Sequence, residues 1–331
     1  MRPPGRAQPW GVRLGVVALL GCGATASTGM TGAPRSRIGS PPDTCRPHDA
    51  GTVTLTGPQG EFDRRRDLAT GTVIDARTAS WTGTTAVPIR FGREGDICLV
   101  GALVHGTFPD TTSWAAMHDT YAILPFGPRA IVQGVRVHNY GDGISPRANA
   151  DRWVLRDSWF SFIRDDCIEN DNQHTGLVEN VLFDGCYVFY SARRPSGWTA
   201  VDGAAHTVTF RNVLVRLQPM PTVYKGVAPG HGKFWKLDAD GTSPQIALSD
   251  VVFRVDQPAG IGGGYMRMIP PADKLAQCTN VTLVWLGDGD FPEPVPPCFT
   301  LTRDRARWDG AVAAWHAAHP HVRDTLGAVA P

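Results

Sequence analysis

A short template recurs along the 331-residue chain and constrains its fold more than any other feature: a small or turn-forming residue followed by alternating apolar positions. It reads Gly101-Ala-Leu-Val104, Gly134-Val-Arg-Val137, Asp157-Ser-Trp-Phe160, Asn180-Val-Leu-Phe183, Asn212-Val-Leu-Val215, Asp250-Val-Val-Phe253 and Asn280-Val-Thr-Leu283, with anchors 33, 23, 23, 32, 38 and 30 residues apart. Each segment follows the period of two of a half-buried strand and is too short to form a core alone, so strands must stack on strands. The 23-residue spacings leave room for two or three short strands and tight turns but not for a crossover helix. Longer spacings read as the same coil with an inserted loop. A Greek-key sandwich also has many short strands, yet it does not carry one template seven times. The pattern predicts an all-β fold, a right-handed single-stranded parallel β-helix. Val135, Val137, Trp159, Val181, Phe183, Val213 and Val215 are expected among its core positions, although alternation alone leaves the inward parity open.

Composition agrees with a loop-rich globular chain. Gly (37) and Pro (27) make up about a fifth of the residues, while 42% are apolar and 19% charged. That is enough apolar surface for a core and too little charge for a disordered chain. Beyond Cys298 the period changes. Trp308, Val312, Trp315 and Ala318 share one helical face, so a short C-terminal helix is expected over 303–318, stopped by His319-Pro320 and covering the open end of the coil.

Arg2, Arg6 and Arg13 precede the apolar run Leu14–Gly21, and small residues follow. This is a secretory signal, too short to span a bilayer. Two cleavage sites stay open: a lipobox ending at Cys22, which would place a lipid there, and Ala24-Thr-Ala26, which would release the chain. The expected organisation is a signal peptide over 1–26, a tether over 27–42, the β-helix over 43–300 and a helix with tail over 301–331. The mature domain is expected outside the cytoplasm, secreted or lipid-anchored at a bacterial cell surface. Without the leader, 29 basic residues face 31 acidic ones, which gives no electrostatic reason for a nucleic-acid partner. Setting Cys22 aside leaves six cysteines, an even number that favours disulfides in an oxidising compartment. Nearest-neighbour pairing, 45–98, 167–186 and 278–298, closes the most local loops.

The densest polar cluster is Arg164-Asp-Asp-Cys-Ile-Glu-Asn-Asp171, with four acids within 165–171. Neighbouring carboxylates repel and raise one another's pKa, so the cluster needs a reason. Asp142 lies 8 residues after its anchor Gly134, and Asp165 lies 8 after Asp157. Asp142 and the Asp165/Asp166 pair should therefore occupy equivalent corners of coils about 4.8 Å apart. The coil pattern over roughly 45–300 resembles the pectin-lyase-like β-helix superfamily. Within it, Asn139-Tyr-Gly-Asp142-Gly and Asp165-Asp166-Cys167-Ile168 resemble motifs of the polygalacturonases. The resemblance implies hydrolysis of a polysaccharide with Asp142, Asp165 and Asp166 as acid and base and His231 as an accessory. Separations of about 6.5–9.5 Å are expected between inverting acids. Three departures stand out: Gly230-His231-Gly232 comes 65 residues after Asp165 rather than one coil later, an Arg-x-Lys motif is missing, and the first motif has one extra residue.

Lysine usage singles out a second segment. Among 28 Arg there are four Lys, and Lys225, Lys233 and Lys236 fall within twelve residues. Burial can bring a lysine to a useful basicity where arginine stays charged. Polysaccharide lyases on this fold use a Lys or Arg base, often with calcium held by acids. The alternative enzyme is therefore a lyase with Lys233 or Lys236 as base and calcium on Asp165, Asp166, Glu169 and Asp171; the hydrolase needs no cofactor. Arg164, Arg193, Arg194 and Trp235 are candidate substrate contacts. A third reading is a non-catalytic surface protein that binds glycan or protein.

Overall fold

The computed structural model describes residues 45, 51–147, 149–194, 202–220, 224, 230–258 and 264–322. The chain divides into residues 1–40 and 41–331, so every described residue falls in the second unit. The expected signal peptide, tether and Cys22, and also Lys225, lie outside the described residues.

The fold is all-β, with strands from Thr52 to Thr302 and few helices. Among the described residues strand pairing is parallel except where Trp235–Leu237 meets Met266–Arg267. Three ladders carry it, and each presents an apolar column to one shared core. In the first, Trp81, Val104, Val137, Phe160, Phe183, Val215, Phe253, Leu283 and Leu301 are successive register partners. In the second, the column runs Ile74, Leu99, Val132, Leu155, Val178, Phe210 and Leu248. In the third, which holds the candidate site, it runs Ile89, Ile123, Ile144, Ile168, Tyr190 and Trp235.

The template anchors are the corners between the second and first ladders. Gly101, Gly134, Asp157, Asn180, Asn212, Asp250 and Asn280 all have φ between 49° and 67°. Glycine reaches this left-handed region freely, and Asn and Asp tolerate it best among other residues. Their side chains also bond from rung to rung: Asn180 donates to Asp157 at 3.1 Å, Asn212 to Asn180 at 2.9 Å and Asn280 to Asp250 at 2.6 Å. The residue type that starts each repeat is therefore set by backbone conformation and by this polar stack.

Six of the seven expected core residues are buried, but Trp159 is not in the core. Its neighbour Phe160 takes the inward position, and Trp159 joins an outer apolar strip with Leu182, Leu214 and Val284. That strip corrects the expected role of the C-terminal helix, Arg305–Ala318. Instead of capping an open end, the helix lies along the flank and packs Trp308 and Trp315 onto the strip. The Trp315 indole donates to Asn180 O at 2.9 Å. Leu301, the last residue of the inward column, is left 44% exposed.

The three expected disulfides form, with Cα separations of 5.6 Å (Cys45–Cys98), 5.7 Å (Cys167–Cys186) and 5.8 Å (Cys278–Cys298). They fit an oxidising compartment. Among the described residues no helix is long and apolar enough to cross a membrane.

Candidate functional site

Register brings the acids together. Ile144 pairs with Ile168, which places Asp142 beside Asp166 on the next rung. The Asp166 amide donates to Asp142 Oδ1 at 2.9 Å, and the Asp165 amide donates to Gly141 O at 2.7 Å. One oxygen from each of Asp142, Asp165 and Asp166 lies within 4.8 Å of the others. The meeting of Asp142 with the Asp165/Asp166 pair, expected from counting, is thus observed. The spacing is tighter than the about 6.5–9.5 Å that admits a water between an inverting pair, and nearer the about 5–5.5 Å of a retaining pair. The residues are only 1%, 5% and 1% exposed.

A fourth group arrives from far along the chain. Lys236 pairs in register with Ser191, and its ammonium donates to Asp166 Oδ2 at 2.6 Å. Beside this ion pair, Glu169 takes a bond from Ser145 Oγ at 2.6 Å and a salt bridge from Arg147 at 2.9 Å. Arg147 lies over the Tyr121 ring, 4.5 Å from its centroid. Asp171 accepts from Ser191 Oγ at 2.6 Å and from the Arg193 amide at 3.0 Å.

Burial sets the protonation of this group. It raises the Asp142 carboxyl well above the usual range, and the charges of Glu169, Asp165 and Asp166 add to the rise. Burial also pushes Glu169 up to about 8, helped by Asp171 and opposed by Arg147. Asp171 is pushed up to about 6 by burial, against the nearby Lys236. For Lys236 burial disfavours the charge, but Asp166, Asp165 and Asp171 outweigh it and hold the ammonium protonated. A proton donor and a buried carboxylate–ammonium pair therefore stand side by side.

Other expected residues are placed elsewhere. Trp235 is a core residue, because its partner Tyr190 faces inward; with 0% exposure it offers no face to a sugar. His231 is fully buried, with Nδ1 2.7 Å from Gly232 O and Nε2 3.0 Å from Gln257 O, so both ring nitrogens are occupied by backbone carbonyls. Lys233 pairs with Glu293 at 3.3 Å rather than with the acids. Arg164 turns away from the acid pair and donates to the carbonyls of Pro109, Asp110 and Thr112, fastening that loop. Arg194 is paired with Asp238 and Asp240. Arg193 is half-buried with its guanidinium over Tyr265, 4.7 Å from the ring centroid.

The four acids expected to hold calcium do not form a ligand set. Glu169 and Asp171 are engaged by Arg147, Ser145, Ser191 and the Arg193 amide, while Asp166 already holds an ammonium. Calcium takes 6–8 oxygens, and the group that does converge, Asp142, Asp165 and Asp166, offers three carboxylates. The set Asp165, Asp166, Glu169 and Asp171 does not fit that ion. Residues that the sequence did not point to are Tyr121, Ser145, Arg147 and Ser191. The one available signal was distance along the repeat, since Tyr121 lies 21 residues before its register partner Asp142. No protein-family model matches this chain, and no curated protein and no solved structure is detectably similar to it.

Proposed function

We propose that the three ladders are the faces of a right-handed parallel β-helix, and that this secreted or lipid-anchored protein hydrolyses glycosidic bonds of a polysaccharide. The observation that carries the reading is the convergence of Asp142, Asp165 and Asp166 within 4.8 Å, with Lys236 bonded to Asp166. Asp142, kept protonated by burial and by its acidic neighbours, gives its proton to the leaving glycosidic oxygen. Asp166, the charged partner of a buried ion pair, supplies the negative charge opposite the developing oxocarbenium ion, with Asp165 beside it. Water then adds to the oxocarbenium carbon and gives its proton to the Asp142 carboxylate, so a C–OH bond replaces the glycosidic bond and the acid is restored. Because the acids are 5% exposed or less, they meet substrate only when the packing around them opens. Elimination is the weaker enzymatic reading, since a base must be unprotonated and Lys236 is held in the opposite state.

The test is incubation of the purified mature protein with neutral and acidic polysaccharides. New reducing ends without an ultraviolet-absorbing unsaturated sugar support hydrolysis, and loss of that activity by about 10²–10⁴-fold in Asp142→Asn assigns the acid. The burial of the acids favours one other reading, a structural ion-pair network in a non-catalytic binding protein. Absence of cleavage across the panel selects it.

A further inference from the structure

One buried group beside the acids has no role in that scheme. Asp166 is in register with Val188, so the preceding Tyr187 stands one rung from Asp165 and Asp166. Tyr187 is 1% exposed, and its ring packs edge-on against Tyr224 at 5.1 Å, with Met220 and Met266 in the same cluster. Its hydroxyl has no hydrogen-bond partner among the described residues.

The other three fully buried tyrosines do have partners. Tyr140 donates to Thr85 O at 3.3 Å, Tyr190 accepts from Asn170 at 3.0 Å and Tyr224 donates to Arg164 O. Leaving a buried hydroxyl unmade costs about 1–3 kcal/mol, and Phe would occupy the same space without that cost. Two more buried polar atoms lack partners on the adjoining rungs, Asp142 Oδ2 and Asp166 Oδ1. Successive rungs thus present a carboxyl, an ion-paired carboxylate with a free oxygen, and a phenol, all desolvated. Burial, reinforced by Asp165 and Asp166, pushes the phenol up to about 12, so it keeps its proton at neutral pH and acts as a donor.

We infer that Tyr187 is a substrate-positioning residue: its hydroxyl donates to an oxygen of a hydroxylated ligand, while Asp166 accepts from a neighbouring hydroxyl of that ligand. The inference rests on the acid cluster being the binding site, but not on bond cleavage there.

The experiment compares the wild type with Tyr187→Phe in calorimetric titrations with cellohexaose, mannohexaose, xylohexaose and hexagalacturonate, alongside thermal unfolding. The expected result is a Kd about tenfold weaker for whichever hexamer the wild type binds, with Tm equal to or above that of the wild type. A structural role would instead lower Tm and leave Kd unmoved, which overturns the inference. Equal affinities, or no binding of any hexamer by the wild type, overturn it as well. Tyr187-dependent binding with no new reducing ends removes the hydrolase reading and leaves this one standing. Cleavage that Tyr187→Phe does not alter does the reverse.

Discussion

The corner column and the acid cluster are both stacks of polar side chains one rung apart, yet they are built on opposite principles. At the corner each amide donates to the carboxylate or amide oxygen of the rung below, as Asn212 does to Asn180 and Asn280 to Asp250. Donors and acceptors balance, and exposure is generous. At the acid cluster, carboxyl groups face one another in near-complete burial, and the Lys236 ammonium, 70 residues from Asp166, bonds to one of them. The first arrangement stabilises the turn that holds it. The second gathers buried acids whose pKa values burial and mutual repulsion raise, the pattern expected of a functional site.

The largest effect should come from removing that ammonium. Lys236→Met strips the charge partner from a buried ion pair, and such truncations cost about 3–5 kcal/mol. Denaturant unfolding should show this, and a loss under 1 kcal/mol would mean that the cluster behaves like the corner. Asp166→Asn should destabilise too, because it removes the charge that the Lys236 ammonium faces. Asp142→Asn should not, because its amide oxygen still accepts from the Asp166 amide and its neutral side chain mimics the protonated acid.

The two regions should also respond oppositely to pH. Asp142, Glu169 and Asp171 have folded pKa values raised above their unfolded values. In that window the native state binds more protons than the unfolded one, so their contribution is fully present below about pH 4. It is lost as pH rises through about 6 for Asp171 and about 8 for Glu169. Asp250 is the reverse. Hydrogen bonds from Asn280 and then Ser249 hold it below the usual carboxylate range, so its contribution is present above about pH 4 and lost on acidification. The difference in stability between the wild type and Asp142→Asn should fall from pH 4 to 8, a readout in which the histidines whose pKa values burial lowers, and which act the other way, cancel. A rising profile would contradict the proton assignment.

The smallest effect belongs to the corner. Asn180→Ala puts a residue that tolerates the left-handed region less well than Asn at φ 56° and removes one donated and one accepted bond. The left-handed conformation alone costs about 1–2 kcal/mol. Asn180→Gly relieves the conformational part and should recover most of it. Equal losses in the two variants would show that the side-chain stack, not the backbone, dominates there.

Much of this was legible in the sequence because it is local or periodic. A left-handed corner needs Gly, Asn or Asp, so Asp157, Asn180 and Asn280 announce themselves at every turn. Counting from those anchors was enough to bring Asp142 to the Asp165/Asp166 pair, and nearest-neighbour pairing joined Cys167 to Cys186. The helix over Arg305–Ala318 followed from its period and from the His319-Pro320 stop. What the tertiary structure alone decided is non-local. Alternation has two parities, and only packing chose Phe160 over Trp159 for the core. Trp235 became a core residue because the register with Tyr190 turned it inward, and Lys236 reached Asp166 through the same pairing. Arg164, adjacent to the acids in sequence, faces away because the loop at Pro109–Thr112 offers it three carbonyls. Sequence determines a repeat wherever backbone conformation or strand period specifies it, whereas long-range register and loop placement select which side chains meet across 20 to 70 residues.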